Sequence, residues 1–165
     1  MWAKSQLYGF TASPEYIDPK RLVDGTVSIF QSEIDKKNLR VVNTLSSEAK
    51  VYADPSLAKL IVRNLLTNAI KFSHENTHIV VNGLSEGVFL KMTITDEGIG
   101  ISDDQQEKLL KGAVQSLGTS STEMGTGLGL MLCKEFVDMH NGRMGIDSKV
   151  GKGTSVWFTL PLTMA

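Results

Sequence analysis

The sequence predicts one α/β domain in which amphipathic helices are interspersed with short strands. Two segments carry this prediction. Residues 54–72 place apolar side chains at helical spacing, whereas residues 88–95 alternate strictly between apolar and polar side chains. A chain of 165 residues with 41% hydrophobic residues can bury one substantial core, and nothing in its composition suggests two. We therefore expect helices and strands around a shared core.

The first dozen residues differ in character from the rest. MWAKSQLYGF is typical of the end of a helix, and Thr11 to Pro19 is predicted to be a linker with a short edge strand. Residues Pro19 to Lys36 are predicted to form one helix. Its apolar face comprises Val23, Val27, Phe30 and Ile34. LRVVNTL and KVYAD then predict two short strands.

A longer helix is predicted from Asp54 to Phe72. Asp54 is a candidate N-cap, and Pro55 suits the first turn. The predicted apolar stripe consists of Leu57, Leu60, Ile61, Leu65 and Leu66. Asn64, Asn68 and Lys71 share another face. Two interpretations remain open for this polar line: a solvated face, or an oxygen ligand for magnesium beside a phosphate-binding lysine.

A hairpin follows, with strands at 77–84 and 88–95 around the sequence SEG. Val88, Leu90, Met92 and Ile94 are predicted to share the buried face of the second strand. Asp96 stands at its end, and Gly98 and Gly100 let the backbone turn away. The carboxylate is suited to accept a hydrogen bond from an exocyclic amine, although an exposed Asp-Glu-Gly turn is the simpler interpretation.

Glycines recur in GTGLGL, which precedes a predicted helix in LMLCKEFVDM. The loop is either a flexible hinge or a cradle for phosphates at a helix N-terminus. A Rossmann motif fits poorly because Leu130 stands where a further glycine is needed. A Walker motif also fits poorly, because Gly153 follows the lysine of GKGTS. Segments 142–148 and 154–160 predict a closing hairpin.

The charge and cysteine content limit the function classes. The net charge is −1 and the lysines are dispersed, so no nucleic-acid or membrane contact is expected. Cys133, the single cysteine, is predicted to be a buried thiol in a reducing compartment. The sequence contains neither an apolar run of membrane-spanning length nor a signal-peptide pattern, so we expect a cytoplasmic location.

NLLTNAIKF, DEGIGI and GTGLGL, in this order and spacing, resemble the asparagine box and two glycine boxes of the catalytic, ATP-binding domain of sensor histidine kinases. The resemblance covers roughly residues 16–162. It implies a two-layer Bergerat-type fold, in which a mixed sheet is covered on one face by about three helices and a flexible lid closes over ATP. It also implies an ATP-dependent histidine protein kinase that uses magnesium.

The resemblance assigns roles by position. Asn68 resembles the magnesium-binding asparagine, and Asn64 its polar neighbour one turn earlier. Lys71 resembles the phosphate-contacting lysine, and Phe72 the aromatic residue that lines the nucleotide. Asp96 resembles the carboxylate that recognises the adenine amino group. The other implied nucleotide contacts are Gly98, Gly100, Ile101, Gly125, Thr126, Gly127, Leu128, Gly129 and Thr154.

Departures from the family patterns narrow the expected chemistry. Related ATPases of the gyrase, mismatch-repair and heat-shock types carry a glutamate base where this chain has Asn64. Rapid hydrolysis is therefore not expected, and phosphoryl transfer to a group supplied from elsewhere is favoured. His74, His78 and His140 lack a phosphoacceptor context and are predicted to be surface or capping residues. No catalytic residue is thus assigned within this chain.

The implied partners are a dimerisation and phosphoacceptor helical domain of the same parent protein and the receiver domain of a response regulator. Residues 1–12 are interpreted as a remnant of that helical domain and residues 13–165 as a monomeric catalytic domain. The segment between Ile101 and Met124 is predicted to be a lid, and the stretch GAVQSLGTSSTEMG is predicted to be mobile without nucleotide. Leu109 and Leu110 replace the family's usual phenylalanine, and Met124 replaces a cation. A non-catalytic nucleotide sensor and, less favoured, a clamp-type ATPase remain as alternatives.

Overall fold

The computed structural model describes residues 11–110 and 128–164, with only the backbone described at 128. Those residues form two layers, with helices packed on one face of a mixed sheet. The predicted lid from residue 111 onwards, the remnant helix up to residue 10 and the loop residues Gly125, Thr126 and Gly127 lie outside the described part of the chain. The first part of the predicted lid is described and is helical at Asp103–Leu110. The domain boundary at residue 13 stays a prediction.

The described part of the chain contains seven strands and five helices. They are β1 (Glu15–Ile17), α1 (Pro19–Ile29), α2 (Gln31–Lys36), β2 (Arg40–Asn43), β3 (Val51–Ala53), α3 (Pro55–Phe72), β4 (His78–Glu86), β5 (Phe89–Asp96), α4 (Asp103–Leu110), α5 (Leu128–Met139), β6 (Met144–Lys149) and β7 (Gly153–Pro161). The larger sheet has the order β2-β4-β5-β7-β6. Its β2–β4 pair is parallel and the other pairs are antiparallel. The predicted mixed sheet is confirmed.

The long helix α3 supplies much of the core. Asp54 caps its N-terminus by accepting hydrogen bonds from the backbone N–H groups of Ser56 and Leu57, and Pro55 occupies the first turn, as predicted. Its buried side chains include Leu57, Ile61, Val62, Leu65 and Leu66. They pack in one cluster with residues from the covered face of the sheet, among them Ile79, Val81, Met92, Phe158 and Leu160. Full burial of each such side chain contributes about 1.5–3 kcal/mol.

Three local predictions were wrong. Leu60 was assigned to the buried stripe of α3, but it is 40% exposed. The single helix predicted for 19–36 is broken at Phe30, whose φ of −101° and ψ of 16° leave the helical region, so α1 ends and α2 begins. Val88 is 64% exposed and lies in the turn, because the hairpin uses a two-residue connection rather than SEG. Gly87 has a φ of +59°, which is typical of the first residue of a type II′ turn.

Candidate nucleotide-binding site

Helix α3 presents the predicted polar line towards its C-terminus. Asn64 and Asn68 are half-buried and Lys71 is exposed. Among the residues that the structure describes, the side chain of Asn68 makes no hydrogen bond, so its amide oxygen is available to a ligand. The ammonium of Lys71 lies 5.2 Å from the ring centroid of Phe72. The helix therefore carries an amide, a cation and an aromatic ring within two turns.

Asp96 stands at the end of β5 and is only 8% exposed. Its Oδ1 accepts hydrogen bonds from the backbone N–H groups of Gly98, at 3.0 Å, and Thr154, at 3.2 Å. Within residues 11–110 and 128–164, Oδ2 accepts none. Burial raises the pKa of the carboxyl group, although the two N–H groups act in the opposite direction. Asp96 thus offers a buried acceptor with one oxygen free.

Glycines around Asp96 allow three backbone segments to approach closely. A Cβ at Gly98 would lie 2.2 Å from the carbonyl oxygen of Phe72, and one at Gly153 would lie 2.1 Å from that of Asp96. Gly100 has a φ of +73°, and a Cβ there would lie 2.1 Å from the carbonyl oxygen at the end of β6. Any side chain at these positions would push the segments apart. Gly98 and Gly100 were predicted as site residues, whereas the role of Gly153 was missed.

Ser148 connects the loop that follows Asp96 to the start of β7. Its Oγ accepts a hydrogen bond from the backbone N–H of Ile101 at 2.8 Å and lies 2.8 Å from Oγ1 of Thr154. Gln106 of α4 donates to the carbonyl oxygens of Ile101 and Ser148. The structure thereby brings the predicted residues Ile101 and Thr154 together. Sequence reasoning missed Ser148, although it faces Thr154 in the hairpin that was predicted.

The start of α5 lies against α3. A Cβ at Gly129 would be 3.8 Å from Cγ of Asn64, an ordinary contact distance. One turn further along, the thiol of Cys133 is fully buried and lies 3.8 Å from the carbonyl oxygen of Ile61. Burial raises the pKa of Cys133 to about 11, despite an opposing hydrogen bond with Asn64. Cys133 is therefore buried, as predicted, and its raised pKa keeps it in the unreactive thiol form.

The three histidines differ in their surroundings. His74 and His78 are exposed, as predicted. His140 was predicted to be a surface or capping residue; it is only 4% exposed, so the surface alternative is wrong, whereas its contact with the last turn of α5 agrees with a capping role. Its Nδ1 lies 2.7 Å from the carbonyl oxygen of Phe136, and its Nε2 accepts a hydrogen bond from the backbone N–H of Asp54 at 2.9 Å. His140 therefore connects the end of α5 to the N-cap of α3.

The oxygen atoms at this site suit a magnesium ion that is held mainly by the phosphate groups of a bound molecule and only in part by the protein. The described residues contain no cluster of three or more His, Cys, Asp or Glu side chains able to hold a metal by themselves. Magnesium commonly takes one or two protein oxygens and completes its shell with phosphate and water oxygens. The free amide oxygen of Asn68 fits this arrangement.

Comparisons with known proteins identify the family and the fold of the chain. Residues 53–164, more than half of the chain, match the family described as histidine kinase-, DNA gyrase B-, and HSP90-like ATPase. The chain is 33% identical over 143 residues to the adaptive-response sensory kinase SasA of Synechocystis sp., covering 86% of this chain and 37% of that protein. It is 32% identical over 149 residues to the histidine protein kinase DivJ of Caulobacter vibrioides, covering 90% and 25%. The chain therefore spans well under half the length of these relatives.

Solved structures show the same fold. The nucleotide-free catalytic domain of the histidine kinase ThkA superposes with a TM-score of 0.77 at 24% identity, covering 92% of this chain and 97% of that one. Full-length ShkA in complex with AMPPNP also gives a TM-score of 0.77, at 20% identity, covering 94% and 32%. The chain belongs to the histidine kinase-, DNA gyrase B-, and HSP90-like ATPase family, and its fold is that of a histidine kinase catalytic domain. Within the described ranges, no helix combines the length and apolarity that a bilayer crossing requires.

Proposed function

We propose that this chain is the ATP–magnesium-binding catalytic domain of a sensor histidine kinase, and that it supplies the γ-phosphoryl group to a histidine on a separate helical domain. The observation that carries the proposal is the buried carboxylate of Asp96. Two backbone N–H groups fix its Oδ1, and no described residue donates to Oδ2. A rigid acceptor of this kind is suited to the exocyclic amine of adenine.

The remaining residues of the site are assigned either to the adenine ring or to the phosphates of the nucleotide. Gly98, Gly100 and Gly153 keep the walls around Asp96 free of side chains. Lys71 supplies a positive charge for phosphate, and Asn68 supplies an oxygen for magnesium. When bound, magnesium neutralises phosphate charge. Residues of this chain contribute chiefly by positioning, which is the main requirement of phosphoryl transfer.

Asn64 favours transfer over hydrolysis. It stands one turn before Asn68, and a neutral amide cannot remove a proton from water. We therefore expect the acceptor histidine and its base to come from the helical domain of the parent protein, and the phosphoryl group to pass onward to the receiver domain of a response regulator.

The deciding experiment has two parts. Calorimetry with a non-hydrolysable ATP analogue should show one site that requires magnesium for full affinity. Addition of the parent's helical domain, with ATP in place of the analogue, should then give phosphohistidine on that domain and none on this chain. Binding without transfer would favour the nucleotide-sensor alternative, and steady ATP turnover by this chain alone would favour the clamp-type ATPase.

Replacement of Asn68 by Ala should remove most of the magnesium dependence of binding. The substitution deletes the proposed protein ligand while keeping a good helix former in α3. We expect the affinity for the analogue in magnesium to fall about tenfold and the affinity in EDTA to change little. Thr67→Ala, on the same turn, is the matched control. An unchanged ratio of the two affinities in Asn68→Ala would reject the assignment.

Acidification should weaken base recognition earlier than an ordinary aspartate would allow. Burial raises the pKa of Asp96, so protonation of this acceptor begins at a higher pH than for an exposed carboxyl group. Adenosine, which has no titrating phosphate, should begin to lose affinity at a higher pH than the ordinary aspartate pKa of about 3.9 would produce. The measurement is a pH series of adenosine affinities in Asp147→Asn, which removes the other carboxylate of the pocket. A flat profile would contradict the prediction.

A further inference from the structure

Helix α3 ends beside the site, where backbone carbonyls lose their helical partners. A lysine outside the family motifs occupies this end. The ammonium of Lys37 donates to the carbonyl oxygens of Ile70 at 2.9 Å, Lys71 at 2.8 Å and Ser73 at 2.9 Å. A lysine has three N–H donors, and all three are used here. Lys37 therefore has no proton left with which to contact a ligand directly.

The other terminal carbonyls of α3 have partners of their own. The carbonyl oxygen of Ala69 accepts from both the backbone N–H and the hydroxyl of Ser73. That of Phe72 accepts from the backbone N–H of Ile99 at 3.3 Å. The carbonyl oxygens of the last turn of α3 are thus all hydrogen-bonded. Lys37 supplies the donors for those carbonyls that neither the helix nor the loop after Asp96 can reach. A cation at a helix C-terminus also offsets the negative end of the helix dipole.

The backbone around Lys37 is held in place. The carbonyl oxygen of Lys37 accepts a hydrogen bond from the backbone N–H of Asn76 at 2.9 Å. The side chain of Asn38 donates to that of Asn76 at 2.6 Å, and both residues adopt positive φ values. The loop between α2 and β2 therefore presents the ammonium from a fixed point.

The end of α3 is joined directly to the loop that follows Asp96. Besides the Phe72–Ile99 hydrogen bond, Ser73 forms an isolated β-bridge with Gly98. Any displacement of the last turn of α3 therefore moves both the phosphate side of the site, at Lys71, and the adenine side, at Gly98. Resting on the proposed function, we propose that Lys37 is a positioning residue that sets the geometry of the nucleotide site through the C-terminus of α3.

The test compares Lys37→Met, which keeps the length of the side chain but has no donors, with Lys37→Arg and with the neighbouring surface variant Lys36→Met. Hydrogen exchange without nucleotide should be about tenfold faster at the amides of Ser73 and Ile99 in Lys37→Met, relative to the amides in the centre of β5. The affinity for the ATP analogue should fall about tenfold, with partial recovery in Lys37→Arg and no change in Lys36→Met.

The outcomes separate the two proposals. Uniformly faster exchange throughout the domain, with an affinity for the analogue equal to that of the wild type, would show that Lys37 only stabilises the fold and would overturn its positioning role. If the wild-type chain fails to bind the analogue, the proposed function fails. The exchange pattern at Ser73 and Ile99 would still decide whether Lys37 controls the end of α3.

Discussion

Replacement of Asp96 by Asn should weaken binding of the ATP analogue about 100-fold or more, to the limit of calorimetric detection. The amide can still accept the hydrogen bonds from Gly98 and Thr154 through its oxygen. Its NH₂ group then replaces Oδ2 and directs donors at the exocyclic amine of adenine, which is itself a donor. The pocket keeps its shape but loses the group that recognises the base. Titration calorimetry on wild type and variant measures the effect.

Thermal unfolding separates lost recognition from lost folding in this variant. Burial raises the folded-state pKa of Asp96 above its unfolded value. The free energy of unfolding therefore falls as the pH rises from the unfolded pKa through the folded pKa, and the ionised carboxylate remains destabilising at higher pH. Removal of the charge should therefore leave the melting temperature unchanged or raise it. Asp147 is an exposed carboxylate that lines the same pocket, so Asp147→Asn is the control, and this variant should bind the ATP analogue with wild-type affinity. Near wild-type affinity in Asp96→Asn would exclude Asp96 as the adenine acceptor.

Local patterns in the sequence were sufficient to predict the helix and the strand on which the proposed site residues lie. Asp54 and Pro55 fixed the start of α3, and strict alternation up to Thr95 placed Asp96 at the end of a strand. These features depend on interactions within a few residues, namely helix capping and the pleat of a strand. The positions of Asn68 and Asp96 could therefore be predicted before any tertiary contact was known.

Features that depend on distant segments could not be predicted in this way. Gly153 is required because the backbone of Asp96, far away in sequence, passes within contact distance. Lys37 caps a helix whose end lies more than thirty residues later, and nothing in its own neighbourhood distinguishes it from Lys36. His140 likewise bonds to Asp54 across the fold. Only the tertiary structure pairs these residues.

The errors within single elements have local causes. The apolar spacing continued through Phe30, but spacing alone does not register the change in backbone angles that separates α1 from α2. Val88 continued the alternation of β5, yet the two-residue turn after Glu86 placed it outside the ladder. In both cases the hydrophobic pattern continued across a point at which the regular backbone geometry did not. The boundaries of elements are where such patterns carry least information.

His140→Leu should lower the free energy of unfolding by about 3 kcal/mol. The substitution fills most of the buried volume but removes both ring nitrogens. The backbone N–H of Asp54 then loses its acceptor, and the link between the end of α5 and the N-terminus of α3 is lost. An unsatisfied N–H close to the core costs more than the hydrogen bond it replaces, because its hydration is not restored. Urea unfolding monitored by circular dichroism measures the change.

The exposed histidine His74 provides the matched control for this prediction. His74→Leu makes the same chemical change at the surface and should alter the unfolding free energy by less than about 0.5 kcal/mol. His140→Gln, which offers an amide oxygen at a similar reach, should recover part of the loss if hydrogen bonding to Asp54 is the cause. Equal destabilisation by leucine and glutamine at position 140 would instead indicate that ring packing, rather than the bond to the N-cap of α3, is what His140 contributes.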